Sequence, residues 1–333
     1  MEASHLLMNL LLPPIIIITI LLVFPIYFFY TIVHSFIRSF TMEDMTQKVV
    51  LITGASSGIG ECLAYEYAKR GARLALVARR ETMLKEVAKK ARAMGSPDVI
   101  ISCADVANSD HCKRFVEETI SHFGRLDHLV NNAGISSSFY FEEASNLTNA
   151  VPVMNVNYWG SVYATHFSLP HLKKTKGKIA ANASSSAWLY GPHMSMYSAS
   201  KAAMMSFYET LRVELGPTVT ITTISLGFVE SEMIEGKHIG LDGKVVVDPS
   251  RKDAVAHFFP IMKAKESARL IVDGVCRGDR DVTDPSWLRA LYLCKVVAPE
   301  VLEWVMRFFF IAVIRRMESF EKRKNGIEAK KVF

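Results

Sequence analysis

The chain has 333 residues, half of them apolar, and a formal net charge of +6. So modest a charge, with no dense basic run interleaved with aromatics, excludes nucleic acid as a partner. The five cysteines (Cys62, Cys103, Cys112, Cys276 and Cys294) form no CxxC pair and no metal-ligand spacing, which fits free thiols in a reducing compartment, and no metal is expected.

In chain order, the first expected element is an anchor over residues 1–40. From Ala3 to Ile37 there is no Lys, Arg, Asp or Glu, well beyond the roughly 20 apolar residues that cross a bilayer. A cleaved signal peptide would want a basic start and a small-residue cleavage site, but Glu2 is the only upstream charge and the segment ends in bulky aromatics. Pro13, Pro14 and Pro25 each remove a backbone donor. They leave two forms open: a kinked span, or a hairpin or shallow wedge in one leaflet, as a lipid-droplet monolayer would require. Glu2 before and Arg38 after the segment put the rest of the chain on the cytoplasmic side by the positive-inside tendency.

From Gln47 onward, short apolar runs alternate with amphipathic stretches. VVLITG (49–54), RLALVAR (73–79), DVIISCAD (98–105), LDHLVNNAG (126–134), KIAANAS (178–184) and TITTISLG (220–227) read as strands. ECLAYEYAKRG and DHCKRFVEETISHFG read as helices between them. Strict alternation predicts an α/β fold, one doubly wound parallel sheet with helices on both faces. Strands so covered are continuously apolar, as LALVA and VVLIT are.

The first strand runs into TGASSGIG, which carries Gly54, Gly58 and Gly60. Glycines at a strand-to-helix turn let the backbone approach a pyrophosphate, and the helix N-terminus supplies amides and dipole. Ser56, Ser57 and Ile59 belong to the same cradle. The second strand ends Ala78-Arg79-Arg80, without the acid that binds an NAD ribose 2′-hydroxyl. The expected cofactor is therefore NADP(H), with Arg79 as the phosphate ligand and Arg80 more plausible as a solvated helix start. Further on, YSASK places Tyr197 and Lys201 at i and i+4, one face of a helix. A cation there would lower the phenol pKa from about 10.

TGASSGIG, NNAG (131–134) and YSASK, in that order, resemble the short-chain dehydrogenase/reductase family over roughly residues 48 to 235. The resemblance implies a single Rossmann-type domain of seven parallel strands, here spanning residues 41–285. It also implies a tetrad of Asn157, Ser184, Tyr197 and Lys201, with Ser185 and Ser186 as rivals for the serine role. Tyr197 would be the general acid/base, Ser184 the holder of the substrate oxygen, Lys201 the grip on the nicotinamide ribose, and Asn157 the positioner of a relay water. Asp105 resembles the adenine contact. Asn132, Ala133 and Gly134 border the cofactor, with Asn132 expected to tie central strands together. The family's usual Pro-Gly after the sixth strand is here Leu226-Gly227, and Gly227, Val229 and Ser231 are expected to flank the nicotinamide.

The proline-bearing N-terminus and VTDPSW (282–287) are similar to the steroleosins, hydroxysteroid dehydrogenase-like proteins of plant oil bodies. That similarity implies a steroid-like or sterol alcohol or ketone, with a lipid droplet or the endoplasmic reticulum as the site of anchoring. Two other readings stay open: a droplet coat or scaffold that keeps the fold without turnover, and a reductase of another lipid carbonyl such as a retinoid.

Residues 286–333 are expected to form a helix with Pro299 in its first turn, then a basic tail. Phe308 to Ile314 is apolar all round, suited to a membrane surface or to a subunit interface in a homodimer. The terminal KKVF resembles a dilysine signal but is more often a solvated tail. Two sequons occur, at Asn146 and Asn182; the second falls on a buried strand, where a glycan has no room.

Overall fold

Val50 and Ile52 pack into one hydrophobic core with Leu74 and Leu76, whereas Val49 and Leu51 join Ala75 and Val77 in another. Successive strand side chains point to opposite faces, so these unbroken apolar runs belong to a sheet covered on both sides. The computed structural model describes residues 2–40 and 42–324. It divides the chain into two units, residues 1–43 and residues 44–333.

The first unit is one helix, α1 (Glu2–Phe40), which continues through Pro13, Pro14 and Pro25. Its Ser4–Val33 stretch has a mean hydropathy of 2.7, and none of the most apolar window is buried against protein. Over these residues the structure has one continuous helix and no hairpin. Each proline removes only its own amide from the ladder. Thr19 and Thr31 add side-chain bonds to the carbonyls of Ile15 (2.8 Å) and Phe28 (2.7 Å).

The second unit opens with β1 (Val49–Thr53), α2 (Gly58–Ala68), β2 (Arg73–Ala78), α3 (Glu81–Ala93), β3 (Val99–Cys103), α4 (Ser109–Phe123) and β4 (His128–Asn131). Next, α5 (Val151–Met154), a π-helical turn (Asn155–Trp159) and α6 (Gly160–Thr175) form one helical run leading to β5 (Lys178–Asn182). Then come α7 (Ser195–Leu215), β6 (Thr220–Leu226), a small hairpin of β7 (Lys237–Ile239) and β8 (Val245–Val247), α8 (Ser250–Phe258), α9 (Ala264–Arg277) and β9 (Asp281–Asp284). Two helices close the unit, α10 (Leu288–Val297) and α11 (Pro299–Lys324).

The main sheet has seven strands in the order β3-β2-β1-β4-β5-β6-β9, all parallel, as the alternation predicts. Side chains of α2, α3 and α9 fill one core, and those of α4, α6 and α7 fill the other. Chain order reverses between β1 and β4. In such sheets the crevice beyond the carboxyl ends of those strands is where ligands bind.

The hairpin escaped the sequence reading, although Asp242-Gly243 is a turn signal. Gly243 has φ +76, and Gly240 N donates to Lys244 O at 3.0 Å. α11 begins at Pro299 as expected, and its apolar stretch splits by face. Phe309 packs on Phe259 (5.6 Å between ring centroids) and Phe310 on His193 (5.0 Å), while Phe308 and Ile311 are exposed. The terminal KKVF lies outside the described residues.

Candidate active site

The turn after β1 is shaped by what its glycines leave out. Gly54 (φ +67) has no room for a side chain: a Cβ there would lie 2.8 Å from Ala133 Cα, and one on Gly60 would lie 2.1 Å from Gly54 O. Ser57, the N-cap of α2, makes no side-chain capping bond, so the first amides of this helix and its positive dipole end are left for an anion. This bare, crowded turn fits a pyrophosphate.

Around it lies a cavity of about 480 Å³. Every residue assigned to the cofactor from sequence lines it: Gly54, Ser56, Ser57, Gly58, Ile59, Gly60, Arg79, Asp105, Asn132, Ala133, Gly134, Tyr197, Lys201, Gly227, Val229 and Ser231. Ser184 lines it too, whereas Asn157 stands behind the wall, fully buried.

Tyr197 and Lys201 lie one turn apart on α7, with Lys201 Nζ 5.9 Å from the centre of the Tyr197 ring. Both are buried. Lys201 Nζ donates to Asn182 O at 2.8 Å, which fixes the ammonium against the end of β5. Burial lowers the Lys201 pKa to about 8. The expectation that this cation depresses the phenol pKa is corrected here. Burial raises the Tyr197 pKa, and only a hydrogen bond with Ser184 acts in the other direction. The physical reason is that desolvation disfavours both ionised forms, and no attraction between the two groups offsets it. Ser184 Oγ also accepts from Ser186 N at 3.1 Å.

Asn157 occupies the π-helical turn, a distortion that often marks functional positions. Its amide is committed to protein partners. Oδ1 accepts from Ile135 N (2.8 Å), while Nδ2 donates to Ile135 O (2.9 Å) and to Ser200 Oγ (2.9 Å). Gly134 is small for a local reason: a Cβ would stand 3.3 Å from Asn157 Oδ1 and 3.4 Å from Lys201 Nζ. Asn132 ties strands as expected, donating to Thr53 O at 3.1 Å and accepting from Asn182 Nδ2 at 2.9 Å. That bond, with Asn182 nearly buried, also leaves no room for a glycan. Asp105 Oδ1 accepts from Ala107 N at 3.0 Å. The departure at Leu226-Gly227 is braced from outside, because Gly227 N donates to Asp284 O at 2.8 Å.

Both arginines at the end of β2 line the cavity, and the second does more than the solvated helix start expected of it. Arg79 is exposed at the rim of the cavity. Arg80 turns onto the glycine-rich loop, donating to Ser57 Oγ at 2.6 Å and Ser56 Oγ at 3.2 Å, and it pairs with Glu232 at 2.5 Å. Consecutive residues in extended backbone face opposite ways, so Arg80 meets the loop while Arg79 stays exposed.

Pro152, Val156, Met233, Ile239 and Val245 give the same cavity apolar lining. β7 reaches it by pairing with the stretch after β4: Ile239 N donates to Ser136 O at 2.8 Å, and Ser138 N to Ile239 O at 3.2 Å. Ile239, Tyr197 and Val153 share a small core. None of the hairpin residues was picked out from the sequence.

Residues 48–239 match the short chain dehydrogenase family. The chain belongs to the short-chain dehydrogenase family. This short-chain dehydrogenase is 50% identical over 287 residues to 11-beta-hydroxysteroid dehydrogenase 1A of Arabidopsis thaliana, covering 86% of this chain and 82% of that protein. It is 46% identical to 11-beta-hydroxysteroid dehydrogenase A of Sesamum indicum, covering 94% of this chain and 89% of the relative. It is thus a hydroxysteroid dehydrogenase-like oxidoreductase of the family. Among solved structures, it matches an archaeal alcohol dehydrogenase from Thermococcus sibiricus complexed with 5-hydroxy-NADP, at 25% identity and TM-score 0.59, covering 71% of this chain and 95% of that one. A short chain dehydrogenase/reductase from Burkholderia phymatum in complex with NAD matches at 24% identity and TM-score 0.67, covering 76% and 94%. Such fold neighbours bind nicotinamide dinucleotides of either kind, and the glycine-rich turn of this short-chain dehydrogenase has the shape to do the same.

Proposed function

We propose that this short-chain dehydrogenase is an NADP(H)-dependent oxidoreductase that interconverts a hydroxyl and a ketone on a steroid-like or sterol lipid. Residues 1–40 hold it at a membrane or lipid-droplet surface, with the catalytic unit on the cytosolic side. The observation that carries the chemistry is the buried convergence of Tyr197, Ser184 and Lys201 on one cavity wall next to a phosphate-sized glycine turn.

The nicotinamide, when bound, supplies the hydride acceptor or donor. In reduction Tyr197 gives its phenolic proton to the carbonyl oxygen, and in oxidation its phenolate form takes that proton back from the carbinol oxygen. Ser184, bonded to that phenol, orients the same substrate oxygen. Lys201, braced on Asn182 O, is placed to grip ribose hydroxyls. Asn157 acts by fixing the Ile135 backbone and Ser200 around them. Arg79 and Arg80, with no acid on β2 beside them, favour a 2′-phosphate. The apolar lining suits a rigid lipid alcohol, and the relatives' names support a steroid nucleus.

The test uses the full-length chain in detergent, with NADPH and NADH fluorescence titrations and a panel of hydroxysteroids and ketosteroids. Tighter NADPH binding with turnover on a steroid is expected. Nucleotide binding without turnover on any lipid alcohol would instead support the coat reading. For the anchor, membrane flotation of the chain with and without residues 1–43 is decisive; flotation of the shortened chain as efficient as the full one would remove α1 from the explanation.

A further inference from the structure

Arg80 meets an anion supplied by the protein itself. Its Nη1 stands 2.5 Å from Glu232 Oε1, a carboxylate 152 positions further along the chain, while its other terminal nitrogen is held by Ser57 and Ser56. Lys237 Nζ contacts the second oxygen of Glu232, also at 2.5 Å. Glu232, Lys237, Arg80, Ser56 and Ser57 all line the cavity. Burial alone would raise the Glu232 pKa, but hydrogen bonds from Lys237 and Arg80 hold it down to about 2. The carboxylate is therefore ionised at any physiological pH.

We propose that Glu232 is an internal occupant of the Arg80 anion site, displaced by the 2′-phosphate of NADP(H), so that it weakens NADP(H) binding and leaves NAD(H) binding alone. The proposal rests on the NADP(H) reading above. Three features favour it. Arg80 is the guanidinium that the structure brings onto the phosphate-binding turn. A phosphate monoester, with roughly −1.5 to −2 charge, outbids a single carboxylate for it. Lys237 stays with Glu232 after the exchange, so the displaced carboxylate keeps a partner. Because Lys237 opens β7, the exchange is felt directly at the start of the hairpin that lines the cavity.

The contrary reading makes Glu232 a partner for an NAD ribose 2′-hydroxyl. The two diverge on Glu232→Gln. This side chain is 38% exposed, and full-length E232Q is expected to unfold at the wild-type temperature. NADPH, NADH and 2′-AMP are titrated by fluorescence or calorimetry against wild type, E232Q, R80M and the double variant. A partly exposed ion pair corresponds to about two- to fivefold in affinity. E232Q is expected to tighten NADPH and 2′-AMP by that factor, to leave NADH unchanged, and to have no effect once Arg80 is methionine. Unchanged or weaker NADPH binding in E232Q, an equal gain in the R80M background, or loss of NADH affinity would each overturn the role of Glu232. Wild type that binds NADH as tightly as NADPH would instead overturn the NADP(H) reading beneath it.

Discussion

Lys201 Nζ and the main-chain carbonyl of Asn182 are 2.8 Å apart, so the ammonium beside Tyr197 is held by the end of β5 and not by the phenol. The tyrosine is buried, protonated by its surroundings, and in touch with Ser184. An acid so placed gives up its proton when the substrate oxygen develops charge against it. Replacing Tyr197 by Phe is expected to lower turnover by about 10²- to 10⁴-fold, with NADPH affinity held within roughly twofold of wild type, well under 1.4 kcal/mol. Steady-state kinetics paired with nucleotide titration checks this. Turnover that survives the substitution would remove Tyr197 from the chemistry.

Burial of Lys201 has a signature in stability. Its pKa falls from 10.5 to about 8 on folding, so the unfolded chain binds more protons between those values. Below pH 8 the buried ammonium is a full cost to the fold; as pH rises from 8 towards 10.5 that cost is relieved and stability increases. The change is on the order of 3 kcal/mol. Urea unfolding of wild type and K201M at pH 7.5 and pH 10 should show this gain in the wild type only. Equal pH slopes in the two proteins would contradict it.

Gly60→Ala tests the phosphate turn. The added methyl would meet Gly54 O at 2.1 Å and Asn132 Nδ2 at 2.6 Å, and the first of these is backbone. Overpacking of this kind costs about 1–3 kcal/mol. The variant is expected to melt earlier and to lose NADPH and NADH binding together, because the pyrophosphate cradle is common to both. A selective loss of one nucleotide would point to a different site of damage.

The sheet and the phosphate turn were legible because they obey short periods: apolar runs for strands covered on both faces, glycines where Cβ atoms collide. YSASK was legible because one helical turn brings its ends together. The contacts of Arg80 were not, since its partners Ser57, Ser56 and Glu232 lie 23, 24 and 152 positions away along the chain. Nor was the depressed phenol pKa a sound expectation, because sequence shows the neighbouring charge and hides the desolvation that opposes it. The π-helical turn around Asn157 has no local signal, for it inserts one residue into an otherwise ordinary helical run. The prolines of α1 left a kinked span and a hairpin both open, and the chain folds there as one continuous helix.

Asn157→Ala removes three bonds to Ile135 and Ser200. At about 1 kcal/mol net each, with buried partners left unpaired, the loss is roughly 3–5 kcal/mol. Hydrogen exchange should localise the loosening to the amide of Ile135 and its neighbours, and kcat should fall together with the melting temperature. A variant with a normal melting temperature and normal exchange would show that the clamp is dispensable.

The same short peptide carries two loads. Ile135 is gripped by Asn157 from behind the cavity wall, and Ser136 and Ser138 pair with Ile239 of the hairpin. Hairpin and Asn157 clamp are therefore joined through one stretch of backbone, and reshaping the hairpin to admit a bulkier alcohol is expected to disturb Ile135 as well.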